Sequence, residues 1–247
     1  MTSRPAQTMC LAAAAVALGA SLAARTAAIQ QAAPSPQERV AALKQSMQES
    51  QTKLRQYEWV ETTIISLKGE EKARTQKRCY YGADGKLQKV PIGGPAPAQE
   101  SPAGGGRRGR VKAKVVENKK DEMSDYMEKA VALIHQYVPP NAEKIQAAKD
   151  GGKMKVLPPQ AGKVRVEFKD FVLPGDLMNI DVDAKALLLA GVNIATYLEK
   201  KDDAVTLDVI FGKLTDGTGY NAKTTLAAKA KNITVVIENS GHRPLGK

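Results

Sequence analysis

The strongest constraint on what this chain can fold into lies in residues 163–240. Short apolar segments follow one another there at strand spacing, separated by polar turns. The segments are residues 164–171, 177–182, 187–198, 205–214, 220–228 and 233–239. Pro174-Gly175-Asp176, Asp183-Ala184-Lys185, Lys201-Asp202-Asp203 and Asp216-Gly217 punctuate them, mostly with residue types that tolerate tight or left-handed turns. Such spacing favours consecutive hairpins over crossover helices, so the sheet is expected to be antiparallel. Within it, Leu187, Leu189, Gly191, Asn193 and Ala195 alternate with Leu188, Ala190, Val192, Ile194 and Thr196. Both sides of that strand are apolar at its start, so it is expected either to be covered on both faces there or to flank a cavity.

Residues 1–28 read as an export signal. Arg4 supplies a positive start, residues 9–24 form an apolar run rich in Ala and Leu, and small residues follow, with cleavage sites readable after Ala23 or Ala28. The run falls short of the roughly 20 residues that span a bilayer, so an integral membrane protein is not expected. Residues 29–34 read as a flexible leader and 35–247 as one α+β domain. Cleavage removes Cys10 and leaves Cys79 alone, which excludes an internal disulfide; Cys79, in a strand pattern beside Tyr80 and Tyr81, reads as structural. The formal net charge of +11 favours anionic partners.

Ser35, Pro36 and Glu38 mark the start of an amphipathic helix, with Val40, Leu43, Met47, Leu54 and Tyr57 at helical spacing. From Tyr57 the period changes to two, giving strands over 57–67, 73–81 and 87–92; Asp84-Gly85 signals a hairpin of type I′. Residues 93–118, rich in Pro, Gly, Arg and Lys, bury too little apolar surface to order and are expected to form a mobile basic loop. Arg107, Arg108, Arg110, Lys112 and Lys114 are its candidates for contact with an anionic surface. Helical period returns over 121–138, and a short second helix spans 142–149.

No chemistry-bearing set emerges. His135 and His242 are far apart in sequence and no metal-binding spacing is present, so no metal and no cofactor are expected. There is no nucleophile elbow, and carboxylate pairs such as Asp181 with Asp183 sit at or beside turns, where Asp serves local backbone bonds. The stretch Gly104-Gly105-Gly106-Arg107-Arg108-Gly109-Arg110 lacks both the ending of a phosphate cradle and interleaved aromatics, so nucleic acid is not an expected partner.

The order of export signal, amphipathic helix, antiparallel strands, inserted helices and meander resembles the bacterial outer-membrane lipoprotein carrier and sorting (Lol-type) proteins. In wording, Tyr57-Glu58-Trp59-Val60-Glu61-Thr62, Arg78-Cys79-Tyr80-Tyr81-Gly82-Ala83-Asp84-Gly85-Lys86 and Tyr137-Val138-Pro139-Pro140 are similar to exported bacterial proteins of one type, a likeness that brings no activity with it. The carrier resemblance implies a curved, unclosed half-barrel with an N-terminal helix and inserted helices covering one face, open to acyl chains. Met47, Trp59, Met123, Met127 and Ile134 are the expected ligand-lining candidates. The function expected is a non-catalytic, periplasmic or secreted binding module for an apolar or lipid-like ligand. The alternatives are an envelope protein docking on anionic surfaces through the basic loop and, third, a hydrolase using Cys79 or a carboxylate pair. Oligomeric state is not legible.

Overall fold

The computed structural model describes residues 36–93 and 107–246, with 36, 37, 39, 40 and 107–120 as backbone alone. The chain divides into two units, Met1–Pro34 and Ser35–Lys247, and everything described lies in the second. The expected signal segment and leader, residues 1–34, lie outside the described residues.

Pro36 opens helix α1 (Pro36–Leu54), its fixed φ suiting the first turn. The chain then enters β1 (Tyr57–Leu67), where β-branched residues dominate, and returns as β2 (Glu70–Tyr81) and β3 (Leu87–Pro91). Between β2 and β3 the Gly85 amide donates to the Gly82 carbonyl, and within that turn only Gly85 has positive φ. The hairpin is therefore present, but the turn is not the type I′ that Asp84-Gly85 suggested; the Asp84 carboxylate instead accepts from the Lys86 amide.

Helix α2 (Arg107–Ile134) starts well before residue 121. The 107–118 part of the expected loop is thus helical, and the loop's residues 94–106 lie outside the described residues. Arg, Lys, Ala and Glu are good helix formers; extending a helix already nucleated after 121 adds residues without a new nucleus, at a cost of about 1 kcal/mol for Gly109. Helix α3 (Ala142–Asp150) is capped by Asn141, whose side chain accepts from the amides of Glu143 and Lys144.

Strands β4 (Met154–Val156), β5 (Lys163–Lys169), β6 (Leu177–Asp183), β7 (Leu188–Tyr197), β8 (Ala204–Lys213), β9 (Gly219–Ala228) and β10 (Ile233–Pro244) complete the chain. Together they form one ten-stranded sheet in the order β3-β2-β1-β10-β9-β8-β7-β6-β5-β4, with every pairing antiparallel. Among the described residues, only the β1–β10 contact joins strands distant in sequence, and β3 and β4 are left as edges. The protein is an α+β fold with an unclosed, curved sheet: the antiparallel pairing is what the sequence pattern implied, and the open curvature is what the carrier resemblance implied. Pairing with β1 carries β10 out to Pro244, where Glu58 lies opposite Arg243; the alternation alone ended that strand at 239.

The period-two patterns fall into register across the sheet. One row runs through Phe168, Met178, Ile194, Leu207, Leu226, Val235 and Ile65, and the next through Val166, Ile180, Val192, Val209, Thr224, Ile237 and Thr63. Glu167, Asn179, Asn193, Asp208 and Thr225 form the corresponding row on the opposite face. Ala130, Leu133, Ile134 and Tyr137 from α2 and the turn after it, with Ala148 from α3, pack on the apolar rows of β5 to β9 as one buried cluster. Met178 and Ile194 are fully buried there, each contributing about 1.5–3 kcal/mol by removal from water. No buried member of the cluster comes from β1, β2 or β3.

Candidate functional site

A cavity of about 140 Å³ lies between α1 and the strands beneath it. Met47, Ser50, Gln51 and Leu54 form its helix side; Leu188 and Leu189 of β7, Phe211 of β8, and Gly219, Tyr220 and Asn221 of β9 form its floor. Its lining is mostly apolar because α1 turns its Met and Leu stripe toward the sheet. The helix is fastened by the Gly219 amide, which donates to Ser50 Oγ at 3.0 Å. Gly219 is required by this close approach: a Cβ there would stand 3.2 Å from Leu188 Cδ2 and 3.3 Å from Ser50 Oγ.

Two irregularities in the ladders shape the floor. The β6–β7 register shifts between Asp181 and Val182, and the β8–β9 register shifts between Ile210 and Phe211. Bulges of this kind re-aim side chains, and here both Leu188 and Leu189, neighbours in sequence, reach one cavity. The doubly apolar start of this strand therefore flanks a cavity, one of the two outcomes its pattern allowed.

Beside the cavity stands an aromatic group. The His242 ring lies 4.2 Å from the Tyr220 ring and stacks on Trp59 at 5.7 Å between centroids. Trp59 Nε1 donates to Asn239 Oδ1 at 3.1 Å, and Asn239 Nδ2 donates to the Asn221 carbonyl at 2.9 Å. Burial pushes the His242 imidazole below its ordinary value, favouring the neutral ring in this stack. A third register shift, between Glu58 and Val60 against β10, lies beside this group.

The five expected lining residues do not converge. Met47 lines the cavity, and Trp59 is buried on its flank. Ile134 is in the main buried cluster and Met127 packs against it, while Met123 is half-buried on the same helix. Met127 also borders a shallow surface depression with Val131 and His135. Leu54, Leu188, Leu189, Phe211 and Tyr220 were not among the candidates; the signal available for them was the pair Leu188-Leu189, which breaks strand alternation. The side chains of Arg107, Arg108, Arg110, Lys112 and Lys114 lie outside what is described, and their backbone is the first part of α2.

Cys79 is fully buried, and burial, then the charge of Glu61, pushes its thiol up. Among the described residues, no group of three or more His, Cys, Asp or Glu is placed to hold a metal, and no helix is long and apolar enough to cross a membrane.

The open antiparallel sheet with helices on one face is the architecture that the Lol-type resemblance implied. No protein-family model matches the chain, and no curated protein matches it. Two solved structures are similar to it. A DUF1329 family protein from Desulfovibrio piger is 13% identical, with 83% of this chain and 92% of that chain covered and a TM-score of 0.35. A LolA superfamily protein from Nitrosomonas europaea is 8% identical, with 81% of this chain and 94% of that chain covered and a TM-score of 0.32.

Proposed function

We propose that the protein is an exported, non-catalytic binding or carrier module for an apolar or lipid-like ligand, acting in the periplasm or outside the cell after loss of residues 1–28. The observation that carries this reading is the apolar cavity of about 140 Å³ under α1. An apolar cavity of about 150 Å³ accommodates a benzene ring, whereas sites for whole drug-sized ligands run to about 300–1,000 Å³. The cavity therefore suits one ring or the end of an acyl chain, with the remainder of the ligand outside it.

The test is uptake of a fluorescent fatty acid by delipidated protein, compared with a Met47→Trp variant that fills the cavity from the helix side. Saturable uptake by the wild type and at least about a ten-fold loss in the variant, with unchanged far-UV circular dichroism, are expected. Absence of uptake by the wild type, together with no copurifying lipid, overturns the reading, as does equal uptake by the variant.

A second reading, docking on an anionic envelope surface through Arg107, Arg108, Arg110, Lys112 and Lys114, is supported by their place in one helix. Eight residues of α2 span about two turns and carry all five cations. Replacing the five with Gln should abolish salt-sensitive binding to anionic vesicles; unchanged binding would dismiss this docking mode.

A further inference from the structure

We infer that the ligand is an anionic amphiphile whose head lies against Lys77 and Lys89, on the same sheet face as the cavity that takes its apolar end. This rests on the proposal that the cavity takes an apolar group, and adds the chemistry of the other end.

The cavity's edge at Asn221 continues into a polar line across the strands. Asn239 donates to the Asn221 carbonyl, and Asn239, Glu61 and Lys77 are direct cross-strand partners on β10, β1 and β2. Directly opposed residues share a face, and Trp59, two residues from Glu61, bonds the Asn239 side chain; this fixes the line on the cavity's side of the sheet. From β9 to β2 is three strand spacings, about 14 Å, a distance that an extended chain can cross. The strands between carry Asn239 and Glu61, neither fully buried, and among the described residues no buried member of the helix-borne cluster comes from β10 or β1.

At the far end the charges do not balance. Lys89 Nζ lies 2.6 Å from Glu61 Oε2, and the Glu61 side chain is only 12% exposed. Lys77, opposite Glu61, has no salt-bridge partner among the described residues, so two ammonium groups serve one carboxylate. Gln76 and Arg78, on either side of Lys77, face away: Gln76 bonds Thr62, and Arg78 approaches Glu58. A half-buried excess positive charge beside an amide line and an apolar floor suits a carboxylate or phosphate head, and disfavours a neutral one.

The experiment compares three probes with one alkyl tail, a fatty acid, an alkyl phosphate and a fatty alcohol, on wild type, Lys77→Gln and Lys77→Arg. The wild type should bind the acid or the alkyl phosphate about ten-fold more tightly than the alcohol; the better of the two identifies the head. Lys77→Gln should cut that preference about three- to five-fold without changing alcohol binding, and Lys77→Arg should retain it. Equal wild-type binding of all three, or a Lys77→Gln loss shared by the alcohol, overturns the inference and leaves the apolar reading intact. No binding of any probe overturns both.

Discussion

Tyr137→Phe isolates the hydrogen bond that ties the end of α2 to the β5–β6 turn. Tyr137 is fully buried, its hydroxyl donating to Asp176 Oδ2 at 2.5 Å and lying 2.7 Å from Thr196 Oγ1. Asp176 is itself only 3% exposed; it accepts from the amides of Phe171, Val172 and Leu173 at 2.6, 2.9 and 2.6 Å. Tyr137→Phe keeps the ring, which packs 6.1 Å from Phe171, and removes only the hydroxyl. A hydrogen bond to a charged acceptor contributes about 1.5–3 kcal/mol, and Thr196 loses a partner as well, so a loss of about 2–3 kcal/mol is expected. At about 2–4 °C per kcal/mol for a domain of this size, Tm should fall by about 4–12 °C. Urea unfolding followed by tryptophan fluorescence should give a lower midpoint at unchanged slope. Asp176→Asn should cost more, because an amide nitrogen would face backbone donors on one side.

The pH dependence has a defined sign. Burial, and then the Asp176 hydrogen bond, push the Tyr137 phenol up, so the fold holds its protonated form. That contribution is fully present below the unfolded value of about 10 and is lost as pH rises through the folded one. The gap between wild type and Tyr137→Phe should therefore be flat at neutral pH and narrow above about pH 10. A Tyr137→Phe protein within about 0.5 kcal/mol of wild type at neutral pH would refute the assignment of this buried bond as a main fastening of the helix.

Three further outcomes follow from local geometry. In a chain lacking residues 1–28, Cys79 should resist thiol reagents until urea unfolds the protein, because it is fully buried and its thiol is pushed up; rapid stoichiometric labelling of the native protein would contradict this. Gly212→Ala would set a Cβ 2.8 Å from ring carbons of Tyr220 and should cost about 1–3 kcal/mol, with a changed near-UV spectrum as the Tyr220–His242 contact shifts. Ser50→Ala removes the acceptor for the Gly219 amide and should destabilise by about 1–3 kcal/mol, with faster hydrogen exchange at that amide; unchanged exchange would mean that Ser50 does not hold α1 down.

The strands were legible because half-buried antiparallel strands write their burial into period two, and turn residues mark where each stops. β1 is expected and found over Tyr57–Leu67, and the six segments of the meander fall on β5 to β10 with shifts only at their ends. The start of α2 was not legible, since composition reports the cost of ordering a basic segment but not the gain from extending a helix anchored further along. The cavity was half legible. Met47 and the two-sided Leu188-Leu189 run pointed toward it, but Phe211 and Tyr220 obey ordinary strand patterns, and nothing local says that bulges turn them under α1.

The sequence by itself determined the class of fold: alternation, turn chemistry and one well-marked N-terminal helix leave an antiparallel α+β sheet as the consistent solution, because these signals act over a few residues. The tertiary structure alone decided that β10 is the strand β1 pairs with, and how α1 and α2 share the helix-bearing face. It also placed Asn239, Glu61 and Lys77 in one line. Register between strands far apart in sequence depends on the summed burial of whole rows, and no local pattern encodes that sum.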